Sequence, residues 1–128
     1  MTQSITQLIQ ELESAEAGKQ FRLTFKDSVT RALFGHSATF NDHGLVSDAL
    51  GCSLDAATAL VERALPDHQW RVVVFSDCSA ECECWEPRAA AQGGERWQRL
   101  RTGCGNTEPI ARVSALLKAI QAKEEAGR

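Results

Sequence analysis

Trp70-Arg71-Val72-Val73-Val74-Phe75 is a run of aromatic and β-branched residues. After a turn through Ser76-Asp77 it is followed by Ala80-Glu81-Cys82-Glu83-Cys84-Trp85. Such residues suit a pleated, half-buried surface, so both runs read as strands. In the first, Trp70, Val72 and Val74 share one face, and Arg71, Val73 and Phe75 share the other. That second face is apolar at its far end, which predicts a central strand covered in part on both sides. Pro87 closes the second strand, and Ala89 to Gly94 reads as a flexible connection ending in Gly93-Gly94. Arg96 to Arg101 reads as a third strand with Trp97 as its inward anchor. Three neighbouring strands with short connections predict a meander.

Upstream, Ser53 caps a helix with an apolar stripe of Leu54, Ala57, Thr58, Val61 and Leu65. Asp55 is near its positive end and Pro66-Asp67 stops it. Downstream, Thr107 caps a last helix with Pro109 in its first turn, where a missing N–H costs little. Its stripe is Ile110, Val113, Leu116, Leu117 and Ile120. At the other end, Ser4 caps a helix over residues 4–16 whose stripe is Ile5, Leu8, Ile9 and Leu12, ended by Ala17-Gly18.

Between these, residues 20–50 give mixed signals. Phe21, Leu23 and Phe25 alternate with Arg22, Thr24 and Lys26, as in a short strand. Val29, Ala32, Leu33 and Phe34 suit a helix capped by Asp27 or Ser28 and ended by Gly35, and propensity leaves open whether that helix starts earlier. Asn41-Asp42-His43-Gly44 is a turn signal. Leu45, Val46, Ala49 and Leu50 suit a short helical turn that docks back, and this segment is the expected place for a variable or binding loop.

Helices with single apolar faces need a sheet to bury them. The expected architecture is one α/β domain of the α+β type over residues 1–123, with 124–128 a frayed tail. It is an alpha-beta-alpha sandwich with a three-stranded antiparallel sheet covered by the 53–65 and 107–122 helices, on one face or both. The 128-residue chain is 43% hydrophobic and 24% charged, which fits one soluble globular domain and not a disordered chain. No apolar run reaches the length of a membrane span, and no secretory signal opens the chain, so a cytoplasmic location is expected.

The net charge is -3, with no concentrated basic field, so nucleic acid is a disfavoured partner. The one local enrichment is Arg96, Arg99 and Arg101 near Trp85 and Trp97. Tryptophan and arginine dominate interface hot spots, so these five are the candidate protein-binding residues. Cysteines are odd in number, which argues against a disulfide framework and for a reducing compartment. Cys78, Cys82, Cys84 and Cys104 are weak zinc candidates, but their spacing is not that of paired knuckles. Cys82 and Cys84 are expected as buried free thiols on one strand face, with no cofactor bound. Cys52, next to a helix start, and His43 are the candidate nucleophile–base pair. His36, His43 and His68 otherwise read as ordinary turn histidines. Gly103-Cys104-Gly105-Asn106-Thr107 resembles a weak anion-binding turn before a helix. Glu81, Glu83 and Glu86 read as a solvated strand face. None of these sets assembles a nucleophile, base and orienter, so no enzyme is expected.

The segment Ser53–Pro66, followed by Gln69-Trp70-Arg71-Val72, resembles the central segment of the phage ABA sandwich domain family. Thr107–Ile120 resembles its final helix and Leu8–Ala15 its first. The cysteine-rich strand and residues 21–50 depart from that pattern. The resemblance implies alpha-beta-alpha layering and a phage or prophage origin, and it carries no catalytic residues. The function expected is therefore a non-enzymatic factor that binds a host or phage protein inside a bacterial cell. An inhibitor of a defence system such as CRISPR interference, a structural or morphogenetic phage protein, and a small metal-binding or hydrolytic protein are the alternatives.

Overall fold

The structure is a computed structural model that describes residues 4–16, 18–87 and 97–126. The elements are α1 (Ile5–Ser14), α2 (Leu23–Phe34), a 3-10 turn (Gly35–Ser37), α3 (Phe40–Leu50), α4 (Leu54–Ala64), β1 (Gln69–Val74), β2 (Ala80–Pro87), β3 (Trp97–Gly105) and α5 (Glu108–Ala126). The fold is of the α+β type with a three-stranded antiparallel sheet covered by helices, as expected. Arg96 and the Ala89–Gly94 connection lie outside the described residues.

α1 starts as its sequence predicts. The Ser4 hydroxyl accepts the Gln7 N–H, and the Gln7 side chain accepts the Ser4 N–H, a reciprocal capping box. α2 starts at Leu23 and takes in the later part of the Phe21–Phe25 alternation, so the strand reading fails there. Phe25 and Val29 are buried on one face of α2, and Phe21, just before the Arg22 N-cap, is buried with its ring stacked on Phe25 at 4.9 Å, while Leu23 is left 74% exposed. Asn41-Asp42-His43-Gly44 is likewise helix and not turn. The Thr39 hydroxyl accepts the Asp42 N–H at 3.2 Å and the Asp42 carboxylate accepts the Thr39 N–H at 2.8 Å, so the residue that signals a turn instead starts α3. Asp42 is buried and also takes the Arg63 guanidinium from α4. In α4 the Ser53 cap holds, with its hydroxyl accepting the Ala56 N–H at 3.1 Å. Its buried stripe is rotated from the expected one: Ala56, Ala57, Leu60 and Val61 are inside and Leu54 is 43% exposed.

The strand order is β1-β2-β3, so β1 is an edge and β2 the centre, which corrects the central placing of Trp70–Phe75. Ala80, Cys82 and Cys84 of β2 are buried against α5, together with half-buried Trp70 and Val72 of β1. On β3 the residue that packs into the core is Leu100 rather than Trp97. α5 is buried on both sides, with Ala111 and Ala115 toward the sheet and Ile110, Val113, Leu116 and Leu117 in the main core with α1, α3 and α4. The layers run sheet, α5, then the remaining helices. α4 therefore packs on α5 and not on the sheet as expected. α5 also continues through Glu124 to Ala126, inside the segment expected to fray.

The sheet reaches α5 so closely because β3 presents glycine there. A Cβ at Gly103 would meet the Ala115 and Ser114 backbone, and one at Gly105 would meet Ala111 N at 2.8 Å. The Gly-x-Gly of the expected anion turn thus serves helix–sheet contact.

Candidate functional site

Strand register assembles the face of the sheet that points away from α5. Arg71 is opposite Glu83 and Glu83 opposite Thr102; Gln69 is opposite Trp85 and Trp85 opposite Arg99; Val73 is opposite Glu81. Arg71, Val73, Glu81 and Arg99 are exposed on this face. The Arg71 guanidinium is 5.6 Å from the Trp85 ring centroid, and Arg99 Nη1 is 3.2 Å from Glu83 Oε2. Two arginines, a tryptophan and a glutamate so form one cluster, with Trp85 half-buried and its Nε1 without a partner among the described residues. Exposed pairs of this kind add little stability, and their worth grows only when a partner excludes water.

The five expected interface residues are divided by the strand geometry. Trp97 is opposite Pro87, which by strand alternation shares the open face with Trp85 and Arg99. The pairing skips Leu100 in a bulge, so Arg101 falls opposite Cys84 on the other side, with Nη1 donating to the Leu100 carbonyl at 2.7 Å. Arg101 therefore leaves the cluster, and Arg96 lies outside the described residues. Sequence reading missed Arg71 and Glu83. The signal was present: a tight turn at residues 76–79 makes positions equidistant from it pair across the hairpin.

The four zinc candidates do not converge. Cys82 and Cys84 point toward α5, and Cys104 is opposite Glu81 on the other face. Cys78 is in the hairpin turn at φ 72° and exposed. Burial pushes the Cys82 and Cys84 thiols up to about 12, so both are protonated at neutral pH. Burial and the neighbouring Glu13 carboxylate also push Cys104 up. Among the described residues no group of three His, Cys, Asp or Glu side chains is placed to hold a metal ion.

Cys52 and His43 do not form a pair either. His43 Nδ1 is 3.4 Å from the Asp27 carboxylate, and Cys52 Sγ is 3.9 Å from the Thr107 hydroxyl. Cys52 borders a shallow groove of about 510 Å³ with Lys19, Phe21 and Lys26. Two donors of the expected anion turn are engaged within the protein: the Cys104 N–H donates to Glu13 and the Asn106 side-chain amide to the Ala15 carbonyl. His68 is half-buried, and burial and Lys123 hold its imidazole below 6.5 against the opposing pull of Glu86 and Asp67. Of the three glutamates of β2, Glu81 and Glu83 are on the open face, whereas Glu86 turns to Lys123 of α5 at 3.7 Å.

The chain matches no protein-family model, no curated protein and no solved structure.

Proposed function

We propose that the chain is a non-enzymatic protein-binding factor that engages its target through the open sheet face. The supporting observation is the cluster of Arg71, Glu83, Trp85 and Arg99 on the side of the sheet away from α5. Tryptophan and arginine supply a disproportionate share of interface energy once a partner desolvates them. The resemblance implies a phage or prophage origin, so the target of this reading is a host or phage protein in the bacterial cytoplasm, and interference with a defence system is its narrower form.

The test is capture of a partner from bacterial lysate, followed by affinity measurement with two charge reversals. Arg99→Glu should weaken the captured complex by about 2 kcal/mol, roughly thirtyfold, with an unchanged melting temperature. Arg101→Glu, on the other side of the bulge, should leave the affinity within about twofold. Equal loss from both variants would show that the open face is not the contact surface. A salt-sensitive nucleic-acid affinity, or substrate turnover abolished by Cys52→Ser, would replace the proposal with a different function.

A further inference from the structure

We infer that the free edge of β1 pairs with β1 of a second copy of this chain, antiparallel about a two-fold axis at Val73. This goes beyond the proposed function, because it concerns the strand edge and not the open face.

β1 has a strand on one side only, and among the described residues nothing pairs with its other side. Soluble proteins normally blunt such edges with charges, proline or bulges. Here the edge ends in Val73, Val74 and Phe75, which are 53%, 54% and 45% exposed, and Arg71 is the one charged residue of the strand. The Phe75 N–H donates to the Ser79 carbonyl at 2.8 Å. Antiparallel alternation then directs the backbone groups of Val73 and Arg71 toward β2 and leaves those of Trp70, Val72 and Val74 on the free edge.

Those free groups suit a second β1. With the two-fold axis at Val73, Val72 of one copy is opposite Val74 of the other, and the two exchange both backbone hydrogen bonds. Val73 meets its own symmetry mate across the close, non-hydrogen-bonded site, where side chains approach most nearly. Charge disfavours the neighbouring register centred on Val72, and an axis on Val74 would pair only residues 73–75 of the strand end. Arg71 falls opposite Phe75 of the second copy and diagonal to Asp77 in its turn, an attraction that occurs twice. Centring the axis on Val72 instead would set the two Arg71 residues diagonal to each other. An isologous contact of this kind closes on itself, so it ends at a dimer with one continuous six-stranded sheet.

Sedimentation of the full chain from micromolar to millimolar concentration reads the stoichiometry. A concentration-dependent dimer is expected, and Val73→Lys should sediment as a monomer with unchanged circular dichroism and melting temperature. The register is read separately by Val73→Cys in a chain with Cys52, Cys78 and Cys104 changed to Ser. The Cα atoms of a non-hydrogen-bonded pair are about 4.5 Å apart, within disulfide reach, so mild oxidation should cross-link this variant between chains. Arg71→Cys in the same background should cross-link far less. A wild-type chain that stays monomeric overturns the inference, even if the edge accepts a foreign strand. So does a dimer that survives Val73→Lys, or one that cross-links equally well at positions 71 and 73.

Discussion

At Gly103 the absence of a side chain is what lets β3 lie on α5. A methyl group there would meet the Ala115 Cα at 2.7 Å and the Ser114 carbonyl carbon at 2.8 Å, both backbone atoms of a helix packed on two sides. Neither can retreat without moving the core, so Gly103→Ala should cost about 3 kcal/mol in urea unfolding. Gly44 is the internal control. It is inside α3, is exposed, and a Cβ there would meet nothing within 4 Å. Gly44→Ala should therefore raise stability by about 1 kcal/mol, because glycine loses more backbone entropy in a helix than alanine does. Opposite signs for one chemical change would separate close approach from chain entropy. A stable Gly103→Ala protein would mean that the sheet and α5 can slide apart.

Between elements, the connection with most at stake is made by Glu13. Its Oε2 accepts from Lys118 Nζ at 2.8 Å, from Ser114 Oγ at 2.7 Å and from the Cys104 N–H at 3.1 Å, which ties α1 to α5 and β3. Lys118 also donates to the Thr102 carbonyl at 3.0 Å. Burial pushes the Glu13 carboxyl up, and the donors from Lys118, Ser114 and Cys104 outweigh it and hold the group below 4.5. The folded state thus prefers the carboxylate more than the unfolded chain does. This contribution is complete above 4.5 and is lost as pH falls through the lower folded value. Glu13→Gln should cost about 2 kcal/mol at neutral pH and reduce the acid sensitivity of the melting temperature. An unchanged dependence on pH below 4.5 would show that the three donors do not stabilise the charge.

For the whole molecule, α5 is the layer on which both the sheet and the other helices depend. It is apolar around most of its circumference because it is covered on two sides. Among the described residues, no helix is long and apolar enough to cross a membrane, α5 included. Opening any layer exposes α5, so its central amides, from Val113 to Ala119, should exchange hydrogen only through global unfolding. The free edge of β1 and the exposed last turn at Glu124–Ala126 should exchange much faster in dilute solution. Hydrogen-exchange mass spectrometry reads this order directly. Early exchange at Leu116 and Leu117 would contradict a core centred on α5.

Features carried by neighbours along the chain were legible without the structure. The Ser4 and Ser53 caps, the Gly35 stop, the α5 stripe and the antiparallel meander all depend on contacts within a few residues or across one tight turn. Trp85 and Arg99 were named from composition, and the register of β2 and β3 is what sets them opposite each other. What only the tertiary structure decided is which of several local options is buried. Leu23–Phe25 and Asn41–Gly44 are helical because α2 gains core contacts through Phe25 and its stack on Phe21, and α3 gains a reciprocal cap, neither of which propensity registers. β1 is an edge strand with one covered face: Trp70 and Val72 pack toward α5, whereas Val73 and Phe75, the apolar residues that suggested a central strand, are left exposed. Arg101 leaves the open face because one bulge at Leu100 reverses the alternation beyond it, and a bulge is a property of two paired strands. The Glu13 network joins residues about a hundred positions apart, and no local pattern in α1 distinguishes that glutamate from Glu11.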